Sequence, residues 1–289
     1  MQLCRFNGAH LGLVEDGQVF DVSAAVREIP APNWPYPLGD PLLLHFDRVL
    51  AAARQLRTGA MSRPLSSVTL NSPVTAPTKI MAAPANYTAH FADAKDPEVD
   101  AGIHAKSLEG VERPTEKLGL FLKASSSIVG PGDGIALVLK DRRNDPEVEL
   151  VVVIGKGGRN IPRAQAFDHI AGYSIGIDNT VRGAEDRSFR KSPDSYAVLG
   201  PWITTRDEIA NPQDLMMWLE VNGERRQSAS TGKMLVKIDE LIEMASRMYT
   251  LYPGDLIYTG TPEGVSAVHA GDVIRAGCDG LGQMTISVR

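Results

Sequence analysis

Two glutamates spaced two apart, in the run Asp145-Pro146-Glu147-Val148-Glu149, stand just ahead of the apolar stretch Leu150 to Ile154. On a strand, residues i and i+2 project from the same face, so the two carboxylates point the same way. Beside a buried stretch such a pair repels itself, and either one group takes a proton or a cation neutralises both. A divalent ion with oxygen ligands resolves the conflict; a strand mouth that leaves both glutamates solvated is the alternative. A second apolar run, Gly172 to Ile177, ends in Asp178, with Arg182 four residues on. An aspartate in that place is a turn residue or a third oxygen ligand. Arg182 offers a bidentate fork for a substrate carboxylate.

Two further runs carry usable groups. Thr259-Gly260-Thr261-Pro262-Glu263-Gly264 combines permissive backbone with a hydroxyl, and either supplies N–H donors to a small anion or is simply a loop. Asn86-Tyr87-Thr88-Ala89-His90-Phe91-Ala92-Asp93 places an imidazole and a carboxylate three apart. On a helical turn they share a face, and the acid can orient His90 as a general base. A structural histidine is the alternative reading.

The elements that must position these groups are mostly strands. Short strand patterns surround Gly and Asp-Gly turns over residues 5–22, and residues 41–57 repeat apolar side chains at helical spacing. The stretch 71–78 carries two prolines and polar residues and suits a linker, so a small N-terminal α+β domain is expected over 1–75 and a catalytic domain over 76–289. Beyond the linker, strands are expected over 135–139, 148–154, 171–177, 218–221, 256–259, 273–276 and 283–288, rich in β-formers and separated by Gly, Pro and Asp turns. Helices are expected over 163–167 and 238–248, and Asn222-Gly223 marks a hairpin turn. Residues 93–118 differ: polar, weakly patterned and with seven acidic residues, they suit a lid.

The bulk composition sets limits. With 289 residues, 43% apolar and 22% charged, the chain can bury a sizeable core. A net charge of -5 gives no footprint for DNA or RNA. Two cysteines, Cys4 and Cys278, exclude a disulfide framework and a thiolate zinc site and fit a reducing cytoplasm. No run reaches the ~18 apolar residues of a membrane helix, and the first residues do not read as a signal peptide. Gly155-Lys156-Gly157-Gly158 lacks the spacing of a nucleotide phosphate loop.

In order, NYxxHxxD, FLKxS, DxExE before an apolar strand, GYxxxxDxxxR, a lysine ahead of LGPW, and TGTPxGV resemble the fumarylacetoacetate hydrolase family across residues 79–289. That resemblance implies an α+β, mainly β fold, a mixed β-sandwich roll with a small N-terminal domain, assembled as a homodimer. It also implies Mg²⁺ or Mn²⁺, with Ca²⁺ as a substitute, held by Glu147, Glu149 and Asp178. By the same motifs, His90, Asp93 and Lys191 match the catalytic groups, and Tyr87, Lys123, Arg182, Gly260 and Thr261 match positions that meet a small 2-oxo acid. Asp93 stands where a glutamate is common, Gly183 and Glu185 where an aspartate and a glutamine are common, and Ala124 and Ser266 replace a frequent proline and glycine.

The implied chemistry is hydrolysis of a C–C bond in an acylpyruvate-like 1,3-diketo acid, through an enolate that the cation stabilises. Decarboxylation of a 2-oxo diacid and isomerisation of an oxo-diene diacid use the same enolate, and the family carries all three. A scaffold that binds metal without catalysis is the third reading, and one that His90, Lys191 and Arg182 argue against.

Overall fold

A computed structural model describes residues 1–88 and 110–289 of the chain. The first three strands, β1 (Gln2–Phe6), β2 (His10–Glu15) and β3 (Gln18–Asp21), form an antiparallel meander, extended at its edge by β4 (Ser62–Pro64), while β5 (Leu70–Asn71) pairs with β1. The helical pattern of 41–57 is present but broken at His45 into Pro41–Leu44 and Phe46–Arg57. His45 leaves helical geometry (φ -123°, ψ 25°), and its N–H closes a tight bond on Leu42 instead of continuing the α ladder.

Thirteen more strands follow: β6 (Ile80–Ala82), β7 (Phe121–Lys123), β8 (Ile128–Val129), β9 (Asn144–Asp145), β10 (Val148–Ile154), β11 (Ile170–Asp178), β12 (Thr180–Val181), β13 (Ala197–Thr205), β14 (Met216–Val221), β15 (Glu224–Ser230), β16 (Leu256–Tyr258), β17 (Val273–Cys278) and β18 (Gly282–Ser287). The main sheet runs β4-β3-β2-β1-β13-β11-β10-β16-β6-β7, so the N-terminal meander continues the sheet through the antiparallel pair of β1 with β13. Most pairs are antiparallel, whereas β16 with β6 and β13 with β8 are parallel, which makes the sheet mixed. A second sheet, β15-β14-β17-β18, packs beside it. The fold is α+β and mainly β.

Alternation on β10 decides which residues reach which core. Val148, Leu150, Val152 and Ile154 face one apolar cluster, together with the helix Ile238–Met248. Val151 and Val153 face the other, which includes Leu3, Leu43 and Val49 from the N-terminal region. Burial on both faces explains why β10 reads as a continuous apolar run. Asp40 secures the N-terminal region: its buried carboxylate caps the helix at Leu42 N–H (3.0 Å) and also accepts from Thr75 N–H (2.7 Å) and Ala76 N–H (2.9 Å) in the expected linker.

Two further expectations change. Residues 135–139 are not a strand: Ile135 makes one parallel bridge to Val288, and a turn at Leu139 (φ 45°) ends the run. The helix expected over 163–167 is a 3₁₀ helix, Arg163–His169. The fully buried β13 was not foreseen from the sequence, and it runs through Gly200-Pro201. Proline is tolerated here because the β11–β13 register shifts between Tyr173 and Ile175, and the Ser174 hydroxyl lies 2.8 Å from the Trp202 carbonyl. The Asn222-Gly223 turn forms as expected, with both residues at positive φ (52° and 83°) between β14 and β15.

Candidate active site

Glu147 and Glu149 flank the first residue of β10, and Asp178 is the last of β11. Antiparallel pairing sets Glu149 opposite Gly176, and Asp178 N–H donates to the Glu147 carbonyl at 2.9 Å. The three carboxylates therefore come from neighbouring strand ends, and one oxygen from each lies within 4.8 Å of the others. All three residues are buried. Gly176 keeps the floor open, because a Cβ there would sit 2.4 Å from the ring of Tyr258.

Cations pair with two of the three acids. Lys191, at the end of the helix Arg187–Lys191, donates to Glu147 Oε2 (2.6 Å), Asp178 Oδ2 (2.9 Å) and Thr180 Oγ1 (2.6 Å). Lys123, from the edge strand β7, donates to Asp178 Oδ1 and to the Tyr196 carbonyl (3.1 Å). The sheet thus curls until its edge meets its centre. Burial lowers the Lys123 pKa, partly offset by Asp178. Arg182 donates through Nε to Asp145 Oδ2 (2.7 Å) and through Nη2 to Glu147 Oε1 (2.8 Å).

Glu149 differs. Among the described residues it forms no ion pair, and it accepts from the Gly260 N–H at 2.6 Å. Burial, followed by the charges of Asp178 and Glu147, raises its pKa well above the ordinary carboxylate value. Three hard oxygen donors converging in a buried pocket, one of them without a cationic side chain among the described residues, fit a divalent cation.

The remaining expected residues fall as follows. Gly260 (φ 96°) leaves β16 beside β10, and a Cβ on it would meet Asn86 Cβ at 2.7 Å. Thr261, expected to face a substrate carboxylate, donates its hydroxyl to the Val148 carbonyl (2.9 Å) and accepts from Gln227 Nε2 (2.9 Å). Arg182, expected in the same role, faces Asp145 and Glu147. The Tyr87 hydroxyl is buried with no hydrogen-bond partner among the described residues, and burial together with the charge of Glu149 raises its pKa. His90 and Asp93 lie outside the described residues, as does most of the segment expected as a lid.

Several contributors had no role assigned from sequence. Asn86 ties three loops together, donating to the Val236 (2.9 Å) and Thr259 (2.8 Å) carbonyls and accepting from Val236 N–H (2.7 Å). Gln227 accepts from Val148 N–H (2.9 Å) and donates to Thr261 and to the Pro262 carbonyl (2.8 Å). Its period-2 partnership with buried Ala229 on an otherwise exposed strand is the signal that could have found it.

A mainly β, mixed-sheet fold with a buried carboxylate triad at paired strand ends defines a class of enzyme whose acids could hold a metal ion. Residues 79–289 match the fumarylacetoacetate (FAA) hydrolase C-terminal family, and the chain belongs to that family. It is 49% identical over 290 residues to a maleylpyruvate hydrolase of Aquipseudomonas alcaligenes, covering 100% of this chain and 99% of that one. A maleylpyruvate hydrolase from Sphingobium sp. SYK-6, solved in complex with manganese(II) ion and pyruvate, superposes with a TM-score of 0.81 at 36% identity, covering 100% of this chain and 98% of that one. A mitochondrial oxaloacetate tautomerase of Bos taurus is 36% identical over 267 residues, covering 89% of this chain and 78% of the relative.

Proposed function

We propose that this chain is a divalent-metal-dependent hydrolase that cleaves the C–C bond of a maleylpyruvate-like 1,3-diketo acid. The observation that carries the reading is the convergence of Glu147, Glu149 and Asp178 in a chain alike, end to end, to maleylpyruvate hydrolases. Those three carboxylates would hold Mn²⁺ or Mg²⁺, with Ca²⁺ as a substitute. When bound, the ion supplies Lewis-acid stabilisation to negative charge developing on the 2-oxo acid.

The chain's own groups do the rest. His90, oriented by Asp93, takes a proton from the water that adds to the distal carbonyl carbon. Lys191, held near Thr180, Glu147 and Asp178, donates a hydrogen bond to the oxygen that becomes negative. The C–C bond then breaks: its electron pair passes to the 2-oxo acid fragment, which takes a proton and leaves as pyruvate, while the acyl fragment leaves as a carboxylic acid. Tyr87 contributes its buried hydroxyl to substrate binding, Gly260 and Thr261 shape the wall, and Lys123 and Arg182 set the charge around the acids. The same reading gives a cytoplasmic homodimer acting on a small molecule, without nucleic acid or membrane. Among the described residues no helix is long and apolar enough to cross a membrane.

The test is pyruvate release from maleylpyruvate, with and without Mn²⁺, after chelation. Metal-dependent release supports the reading. Proton exchange or tautomerisation of oxaloacetate with no C–C cleavage of any acylpyruvate would replace it with a tautomerase.

A further inference from the structure

Charges around the site form an unbroken alternating chain. Arg143 Nε lies 2.9 Å from Asp145 Oδ1; Asp145 Oδ2 takes Arg182 Nε at 2.7 Å; Arg182 Nη2 reaches Glu147 Oε1 at 2.8 Å; Glu147 Oε2 takes Lys191; and Lys191 and Lys123 both meet Asp178. Asp145 is fully buried and is the fourth acid of the cluster, yet it is not one of the three whose oxygens converge. It sits on β9, paired across from Thr180 of β12, in a two-stranded ribbon that prolongs β10 and β11 past the carboxylates. Arg182 N–H donates to the Arg143 carbonyl at 2.9 Å, which fixes both arginines on either side of Asp145.

We propose that Asp145 is a positioning residue that sets the cation affinity of Glu147 through Arg182. The guanidinium divides its charge between two carboxylates. The Asp145 carboxylate takes Arg182 Nε, which leaves Arg182 one hydrogen bond, through Nη2, to Glu147. Replacing the Asp145 carboxylate leaves Arg182 to pair with Glu147 alone, where it competes with any cation bound there. Groups one step removed from a metal's ligands typically alter metal affinity by about 10- to 100-fold. The inference rests on the functional reading above, because it concerns the same carboxylates.

The test is Mn²⁺ binding, measured by electron paramagnetic resonance titration on the full chain, for wild type, Asp145→Asn, Arg182→Gln and the double variant, with folding followed by circular dichroism. Asp145→Asn weakens Mn²⁺ about tenfold or more, Arg182→Gln binds at least as tightly as wild type, and the double variant recovers to within about threefold of wild type. A purely structural role would make the two losses add, and additive losses overturn the inference. If Asp145→Asn fails to fold, Arg182→Gln still decides: weaker binding in that variant overturns the inference. Unchanged affinity in a folded Asp145→Asn overturns this inference alone, whereas a wild-type chain that binds no Mn²⁺ overturns the functional reading and this inference with it.

Discussion

Gly260 donates its backbone N–H to Glu149 Oε2 at 2.6 Å, so the loop after β16 orients the one triad acid that forms no ion pair among the described residues. The contact depends on the left-handed backbone of Gly260 (φ 96°) and on the absence of a side chain against Asn86. Gly260→Ala pays roughly 1–2 kcal/mol in backbone conformation alone, and its Cβ displaces the loop. We expect a lower melting temperature and at least a tenfold fall in activity. Wild-type activity in that variant would show that the N–H contact does not matter.

Removing a ligand and removing a base should separate cleanly. Glu149→Gln keeps the shape of the side chain and loses its charge, so metal binding and every metal-dependent activity should disappear together. His90→Ala should abolish hydrolysis while Mn²⁺ still binds. Calorimetric titration alongside product assay reads both outcomes, and loss of the ion in His90→Ala would contradict the assignment of its role.

Lys191 bridges two carboxylates from different strands, which makes it both a structural cation and a hydrogen-bond donor. Losing one such preorganised donor costs about 3–4 kcal/mol of transition-state stabilisation, or ~10²–10³ in rate. Lys191→Met should therefore reduce kcat by about that factor. A change confined to KM would instead make Lys191 a ground-state binding group.

Neither cysteine should take part in the chemistry. Cys4 and Cys278 are both buried, and burial pushes each thiol up to about 12. Below that pH the thiol form dominates, and the thiolate that attacks reagents is scarce. An aromatic disulfide reagent at pH 8 should modify neither residue until the chain is unfolded, when both should react. Rapid labelling of the native protein would show that one of them is accessible.

Much of this site was legible because strand geometry is strict. The spacing of Glu147 and Glu149 dictates a shared face, while the apolar run behind them left burial or a solvated strand mouth open, and the structure buries both. Asp178 was readable as the acid ending a second buried strand. Arg182 was readable as a carboxylate binder, but spacing cannot say whose carboxylate, and the structure gives it those of Asp145 and Glu147. Thr261 was found for its hydroxyl, yet its partners Val148 and Gln227 come from strands that no local pattern connects to it. The fold was less legible where local chemistry and long-range pairing disagree. No strand was expected through Gly200-Pro201, because proline lacks the N–H of a ladder bond, and the bulged register against β11 lets β13 pass through it. Nor could periodicity foresee that β1 would pair with β13 and carry the N-terminal meander into the main sheet.

The claim on which all else depends is that one cation sits among three acids. Crystals grown with Mn²⁺ and measured at the manganese absorption edge test it directly. A single anomalous peak is expected within coordination distance of Glu147, Glu149 and Asp178. A peak elsewhere, or none at saturating Mn²⁺ with Lys191 still bridging Glu147 and Asp178, would contradict it.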